Sequence, residues 1–200
     1  ETAVVIGQGN VAADVCRILS KTVDELKHTD IAAHALEQLA QSRIKTVYMV
    51  GRRGPVQAKF TQQEIKELGE MDDCVAHIDE AVFNFDPASQ AEFDDPKSKT
   101  AIKNIPFMQA IAQAEREGCS RELRIEFCKS PKEIKGNRRV ESIVLEENEL
   151  TGEPFRVKAQ GTGVCEEIPC GLVFRSVGYR GTAMPGVPFH EDWGVYPHEN

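Results

Sequence analysis

The chain has 200 residues, 40% of them hydrophobic and 28% charged, an ordinary balance for a chain that buries a core. Twenty-four basic residues against 32 acidic ones give a formal net charge of −8, which argues against a general nucleic-acid surface and still allows a local basic pocket. No apolar run approaches the ~20 residues of a membrane span, and no charged segment leading into an apolar one marks a signal peptide.

The chain opens Glu1-Thr2-Ala3-Val4-Val5-Ile6 without a Met, one residue before a strand, and reads as a piece cut from a longer protein. Thr2–Ile6 is a short β-branched run, as in a buried parallel strand. Gly7 to Val11 is a glycine-rich turn. Val11, Val15 and Leu19 then recur at helical spacing beside Ala12, Cys16 and Ile18, predicting a helix that ends near Ser20. Residues 21–29 are polar. Thr29 is the expected N-cap of a second helix with Ile31, Ala35, Leu36 and Leu39 on its face. A strand follows over residues 46–50, then the turn Gly51-Arg52-Arg53-Gly54-Pro55.

Thr61-Gln62-Gln63-Glu64 has the form of a capping box and opens a helix to about Leu68. Residues 75–78 read as a strand, 84–99 as a long acidic loop, 102–116 as a helix with Pro106 in its first turn, and 123–127 as a strand. Alternation over 140–146 and 155–159 predicts a hairpin around 149–153. Residues 172–177 form a final apolar strand ending at Gly178-Tyr179. The expected architecture is an α/β, Rossmann-like three-layer domain, a parallel sheet with an antiparallel addition. Residues 1–180 form the nucleotide-binding domain, and 181–200, with Pro185, Pro188 and Pro197 and no periodicity, form a linker or the start of another domain.

Gly7-Gln8-Gly9-Asn10-Val11-Ala12 fits G-x-G-x-x-A. The first glycine allows a tight turn, the second lets a pyrophosphate approach the backbone, and the small Ala12 lets the helix lie close to the strand. The helix N-terminus then offers free N–H groups and a partial positive charge. Where an NAD-binding unit carries an acidic residue at the end of the second strand, this chain has Arg52 and Arg53. A carboxylate there repels a 2′-phosphate, whereas two guanidiniums grip it with forked, charge-assisted bonds. The pair therefore predicts NADP(H). It lies further from the glycine turn than the usual ~20 residues, a difference that the inserted helix near residues 30–42 supplies. The alternative is that the arginines only solvate a turn. Glu64 either completes the capping box or contacts the nucleotide, and the two roles are compatible.

VVIGQGNVAADVCRIL, SRIKTVYMVGRRGPVQAKFTQQEIKEL and IPCGLVFRSVGYRG together resemble the adrenodoxin reductase family of FAD-containing ferredoxin–NADP reductases, within the glutathione-reductase superfamily, over roughly residues 3–197. The resemblance implies that NADP(H) is held by the stretch Gly7, Gln8, Gly9, Asn10 and Val11, that Arg52 and Arg53 hold its 2′-phosphate, and that Glu64 contacts the nucleotide. It implies hydride transfer from NADPH to FAD, and single electrons passed on to a ferredoxin-type iron–sulfur protein. The family's own FAD-binding GxGxxG is not in this sequence, so the flavin site is expected largely outside it and the chain alone is expected not to turn over. Alternatives are the NADPH domain of a flavoprotein like the glutamate synthase small subunit, and a non-catalytic NADP(H)-sensing module.

The six cysteines form no CxxC pair and read as reduced thiols of an intracellular protein, cytoplasmic or in the mitochondrial matrix if eukaryotic. His28, His34, His77, His190 and His198 are not spaced as metal ligands. Lys129, Lys132, Lys135, Arg138 and Arg139 make a modest basic cluster that either meets an acidic electron carrier or solvates a turn.

Overall fold

A computed structural model describes residues 1–197. Five parallel strands form the central sheet: β1 Thr2–Ile6, β2 Thr46–Val50, β3 Cys74–His77, β4 Arg121–Glu126 and β8 Leu172–Arg175, in the order β3-β4-β2-β1-β8. β1 sits between β2 and β8, with Val4 opposite both Tyr48 and Val173. Both of its faces must therefore be apolar, and Ala3, Val4 and Val5 are fully buried.

The two faces are covered differently. Ala3 and Val5 of β1 and Val47 and Met49 of β2 point into a core built with the helices α1 Asn10–Ser20, α4 Gln62–Gly69 and α6 Lys99–Ala112. Val4, Ile6 and Val50 point the other way, against Ile143, Leu145 and Ile168. Those three belong to a second, antiparallel sheet of β5 Lys129–Lys135, β6 Ser142–Thr151 and β7 Lys158–Pro169, in the order β5-β6-β7. The result is a three-layer α/β domain of helices, parallel sheet and antiparallel sheet. Residues 181–197 turn back on themselves: Gly181 N–H bonds the Gly194 carbonyl, and the Phe189 and Tyr196 rings meet edge to face.

Several elements differ from the sequence reading, each for a local reason. α1 buries Ala12, Ala13, Cys16 and Ser20 rather than its larger residues, with Val11 and Ile18 exposed. This small-residue face seats the helix close to β1 and β2. Thr29 caps nothing. A short helix α2 Val23–Leu26 starts instead at Thr22, whose Oγ1 accepts from Glu25 N–H while the Glu25 carboxylate accepts from Thr22 N–H. α3 Ala33–Ala40 follows without a side-chain cap.

The acidic stretch 84–99 is not all loop. Asp86 accepts from the N–H groups of Ala88 and Ser89, and Pro87 fills the first turn of α5 Pro87–Asp94. α6 begins earlier than expected, so Pro106 falls in mid-helix. The stripe of Ala101, Ile105, Met108 and Ile111 buried against the core outweighs the lost backbone bond. The hairpin is much longer than expected, and β5 was not anticipated because its alternation is masked by Lys and Pro.

Candidate functional site

A cleft of about 760 Å³ opens at the carboxyl ends of β1, β2 and β8, lined by the turn residues that follow each of them. β1 is where the strand order reverses, so this is where an open α/β sheet has its crevice. Gly7, Gln8 and Gly9 line one wall, Arg52 and Arg53 another, Lys129, Ser130 and Pro131 of β5 a third, and Ser176 to Gly178 close it.

The glycine turn is built for close approach. Gly7 has φ +138°, and a Cβ there would overlap the Ser176 carbonyl oxygen, so no other residue fits. Nothing lies within 4 Å of the position a Gly9 Cβ would take, which leaves room for a ligand against bare backbone. Gly9 is the N-cap of α1 and offers no side-chain oxygen to the first-turn N–H groups, which stay available to an anion. The turn is held from behind: Gln8 donates from Nε2 to the Glu126 carbonyl at 2.9 Å, and its own carbonyl accepts from Lys59 N–H at 2.8 Å.

At the turn after β2, neither Arg52 nor Arg53 has a carboxylate partner among the described residues. Lys129, on the opposite wall, is held by Glu126 and Glu166, each at 3.0 Å. Burial works against its charge, but the hydrogen bonds to the two glutamates outweigh that and raise its pKa. Gln57, also on the cleft wall, is buried and donates to Ser89 Oγ at 3.2 Å and Glu92 Oε2 at 3.3 Å. The cleft thus combines a backbone cradle and an uncapped helix end with two guanidiniums that no carboxylate neutralises among the described residues. It can take an elongated ligand with more than one anionic group.

No family model matches the chain. Over 197 residues it is 46% identical to the NADPH-ferredoxin reductase FprA of Mycobacterium tuberculosis, covering 98% of this chain and 42% of that protein. It is 38% identical over 209 residues to the mitochondrial NADPH:adrenodoxin oxidoreductase of Bos taurus, covering 99% of this chain and 42% of that one. The structure of M. tuberculosis FprA in complex with NADPH matches with a TM-score of 0.87 at 46% identity, over 99% of this chain and 43% of the other. This chain is homologous to a segment of the NADPH–ferredoxin and adrenodoxin reductases. It spans 42% of the length of these curated relatives.

In this chain Gly7, Gln8, Gly9, Arg52 and Arg53 share one cleft, whereas Asn10, Val11 and Glu64 do not line it. Asn10 Oδ1 accepts from Thr61 N–H at 2.9 Å, tying the start of α4 to the glycine turn. The Thr61 hydroxyl bonds the Glu64 carboxylate, and no capping box forms. Lys59, Lys129, Ser130 and Pro131 are cleft residues that the sequence did not assign. For Lys129 to Pro131 the only signal was the basic run at 129–139, and Lys59 had none.

In that basic run the three lysines are paired with carboxylates, while Arg138 and Arg139 are exposed. Lys132 and Lys135 pair with Glu146 and Glu167 at 3.2 and 2.7 Å, as Lys129 does with its two glutamates. Among the described residues no group of three or more His, Cys, Asp or Glu is arranged to hold a metal, and no helix is long and apolar enough to cross a membrane. His198 lies outside the described residues.

Proposed function

We propose that this chain is the NADP(H)-binding part of an FAD-dependent ferredoxin–NADP reductase, positioning NADPH for hydride transfer to FAD and onward electron transfer to a ferredoxin-type iron–sulfur protein. The observation that carries the reading is the unpaired Arg52–Arg53 turn in the same cleft as the glycine turn. The names of the homologous reductases support it. Residues 1–180 are the NADP(H)-binding unit, and 181–200 are the connection to a flavin-binding part. The self-contained fold of 181–197 favours that division. The reductase works in the cytoplasm or, in a eukaryote, the mitochondrial matrix.

Gly7, Gln8 and Gly9 hold the pyrophosphate against the backbone. Asn10 and Val11, in the first turn of α1, supply N–H groups to it. Arg52 and Arg53 clamp the 2′-phosphate, and Glu64 contacts the nucleotide from the start of α4. When bound, NADPH supplies the hydride, and the chain's own residues only bind, orient and neutralise. The test is calorimetric titration with NADP⁺ and NAD⁺ in parallel at one salt concentration. Clear preference for NADP⁺ is expected, and equal affinity for the two overturns the reading.

A further inference from the structure

Three consecutive carbonyls at the arginine turn are each caught by a donor from the antiparallel sheet or from Cys128, the residue that leads into it. The Gly51 carbonyl accepts from Lys129 N–H at 2.9 Å, that of Arg52 from Asn148 Nδ2 at 3.0 Å, and that of Arg53 from Cys128 N–H at 3.0 Å. Two of these donors are backbone. The middle one is a side chain, and its setting is specific. Asn148 stands where the pairing of β6 with β7 shifts register, between Glu146 and Asn148. Its N–H donates to the Cys128 carbonyl at 2.7 Å, and Nδ2 also reaches Ser130 Oγ at 2.8 Å. Cys128, with φ +51°, turns so that its N–H serves Arg53 while its carbonyl serves Asn148.

A trans peptide sets its carbonyl and N–H on opposite sides. Holding the Arg52 carbonyl on the Asn148 side therefore turns the Arg53 N–H away from Asn148. That N–H has no protein acceptor among the described residues, and neither do those of Arg52 and Gly54. Were the Arg52–Arg53 peptide to flip, a carbonyl dipole would replace the N–H and repel an anion.

We propose that Asn148 is a positioning residue for the 2′-phosphate site: it locks the Arg52–Arg53 peptide with the carbonyl turned away from the anion and the N–H left for it. This rests on the NADP(H) reading above. The antiparallel addition then has a part in cofactor choice as well as in covering the sheet.

The test is titration of the wild-type chain and of Asn148→Leu with two probes, 2′,5′-ADP and 5′-ADP. The loss of one hydrogen bond that fixes a charged site predicts about tenfold weaker 2′,5′-ADP binding, with 5′-ADP changed less than twofold. Asn148→Gln, which keeps an amide donor, recovers most of the loss. Asn148→Ser, too short to reach the carbonyl, gives the same selective loss and serves if the Leu variant does not fold. In an Arg52→Ala, Arg53→Ala background the Asn148 effect shrinks to less than twofold. An unchanged ratio of the two affinities in folded variants, or an equal fall in both, overturns the role of Asn148 alone. A wild-type chain that does not prefer 2′,5′-ADP overturns the NADP(H) reading and this proposal with it.

Discussion

Arg52 and Arg53, after β2, and Lys129, Lys132 and Lys135, along β5, are both clusters of cations, and in sequence they look equally ready for an anion. In the fold they stand in opposite settings. Each lysine has at least one glutamate within 3.2 Å, whereas the arginines have none among the described residues and face a cleft. The difference comes from where each cluster sits. β5 shares its sheet with β6, which carries Glu146, and β7, which carries Glu166 and Glu167, so carboxylates from these strands satisfy its lysines. The arginines lie on a turn whose neighbours present backbone rather than carboxylates. A net charge of −8 is therefore compatible with a local site for phosphate.

Breaking the unpaired cluster has the largest expected effect. Arg52→Ala with Arg53→Ala removes two charge-assisted contacts worth roughly 1.5–3 kcal/mol each. NADP⁺ affinity should fall at least ~100-fold while NAD⁺ affinity stays within about twofold. A calorimetric series that shows both falling together sinks the 2′-phosphate role. Raising ionic strength at fixed pH sharpens the same contrast, since screening weakens a contact between exposed charges. NADP⁺ affinity should drop more steeply with salt than NAD⁺ affinity, and parallel slopes would count against the unpaired arginines.

Alkaline titration tests charge that the fold excludes. Burial pushes the Cys74 and Cys128 thiols up to about 11. A pKa raised on folding gives stability that is complete below the unfolded value of about 9 and is lost as pH rises through the folded value. The urea midpoint should hold to pH 9 and decline between about 9 and 11. A flat profile there shows the thiols to be hydrated.

The paired cluster is expected to respond least. Lys129→Met strips Glu126 and Glu166 of a half-buried partner and should cost about 1 kcal/mol in urea unfolding, with NADP⁺ affinity changed less than about threefold. Lys135→Ala, at a partly exposed position, should leave both melting temperature and affinity within error. A marked affinity loss on Lys135→Ala would show that the β5 cluster contributes to the site after all.

How much of this was legible follows the range of the forces involved. The β1–turn–α1 unit could be read because its strand, glycines and small helix face are consecutive in the chain. The place of the arginine pair at the cleft could be read because it directly follows the second strand. The two T-x-x-E segments show where local reading stops. Thr22–Glu25 closes a capping box, and Thr61–Glu64, with the same pattern, does not. At Thr61 the backbone N–H is already taken by Asn10, 51 residues earlier, so a tertiary partner displaced the local one. Lys129 and Ser130 could not be placed at the cleft, nor Asn148 against the arginine turn, because nothing in the local sequence sets how the antiparallel sheet docks there.

The close fit of Gly7 under Ser176 carries a consequence for how the protein is made. β1 takes Leu172 to Arg175 as its outer neighbour, so this strand leaves the ribosome well before the strand that completes its edge. At roughly 5–20 residues per second of synthesis, that wait is about ten to thirty seconds. The nascent β1, almost wholly apolar, spends it with one edge unpaired and open to aggregation. The glycine turn is thus synthesised well before the segment that gives it its final shape.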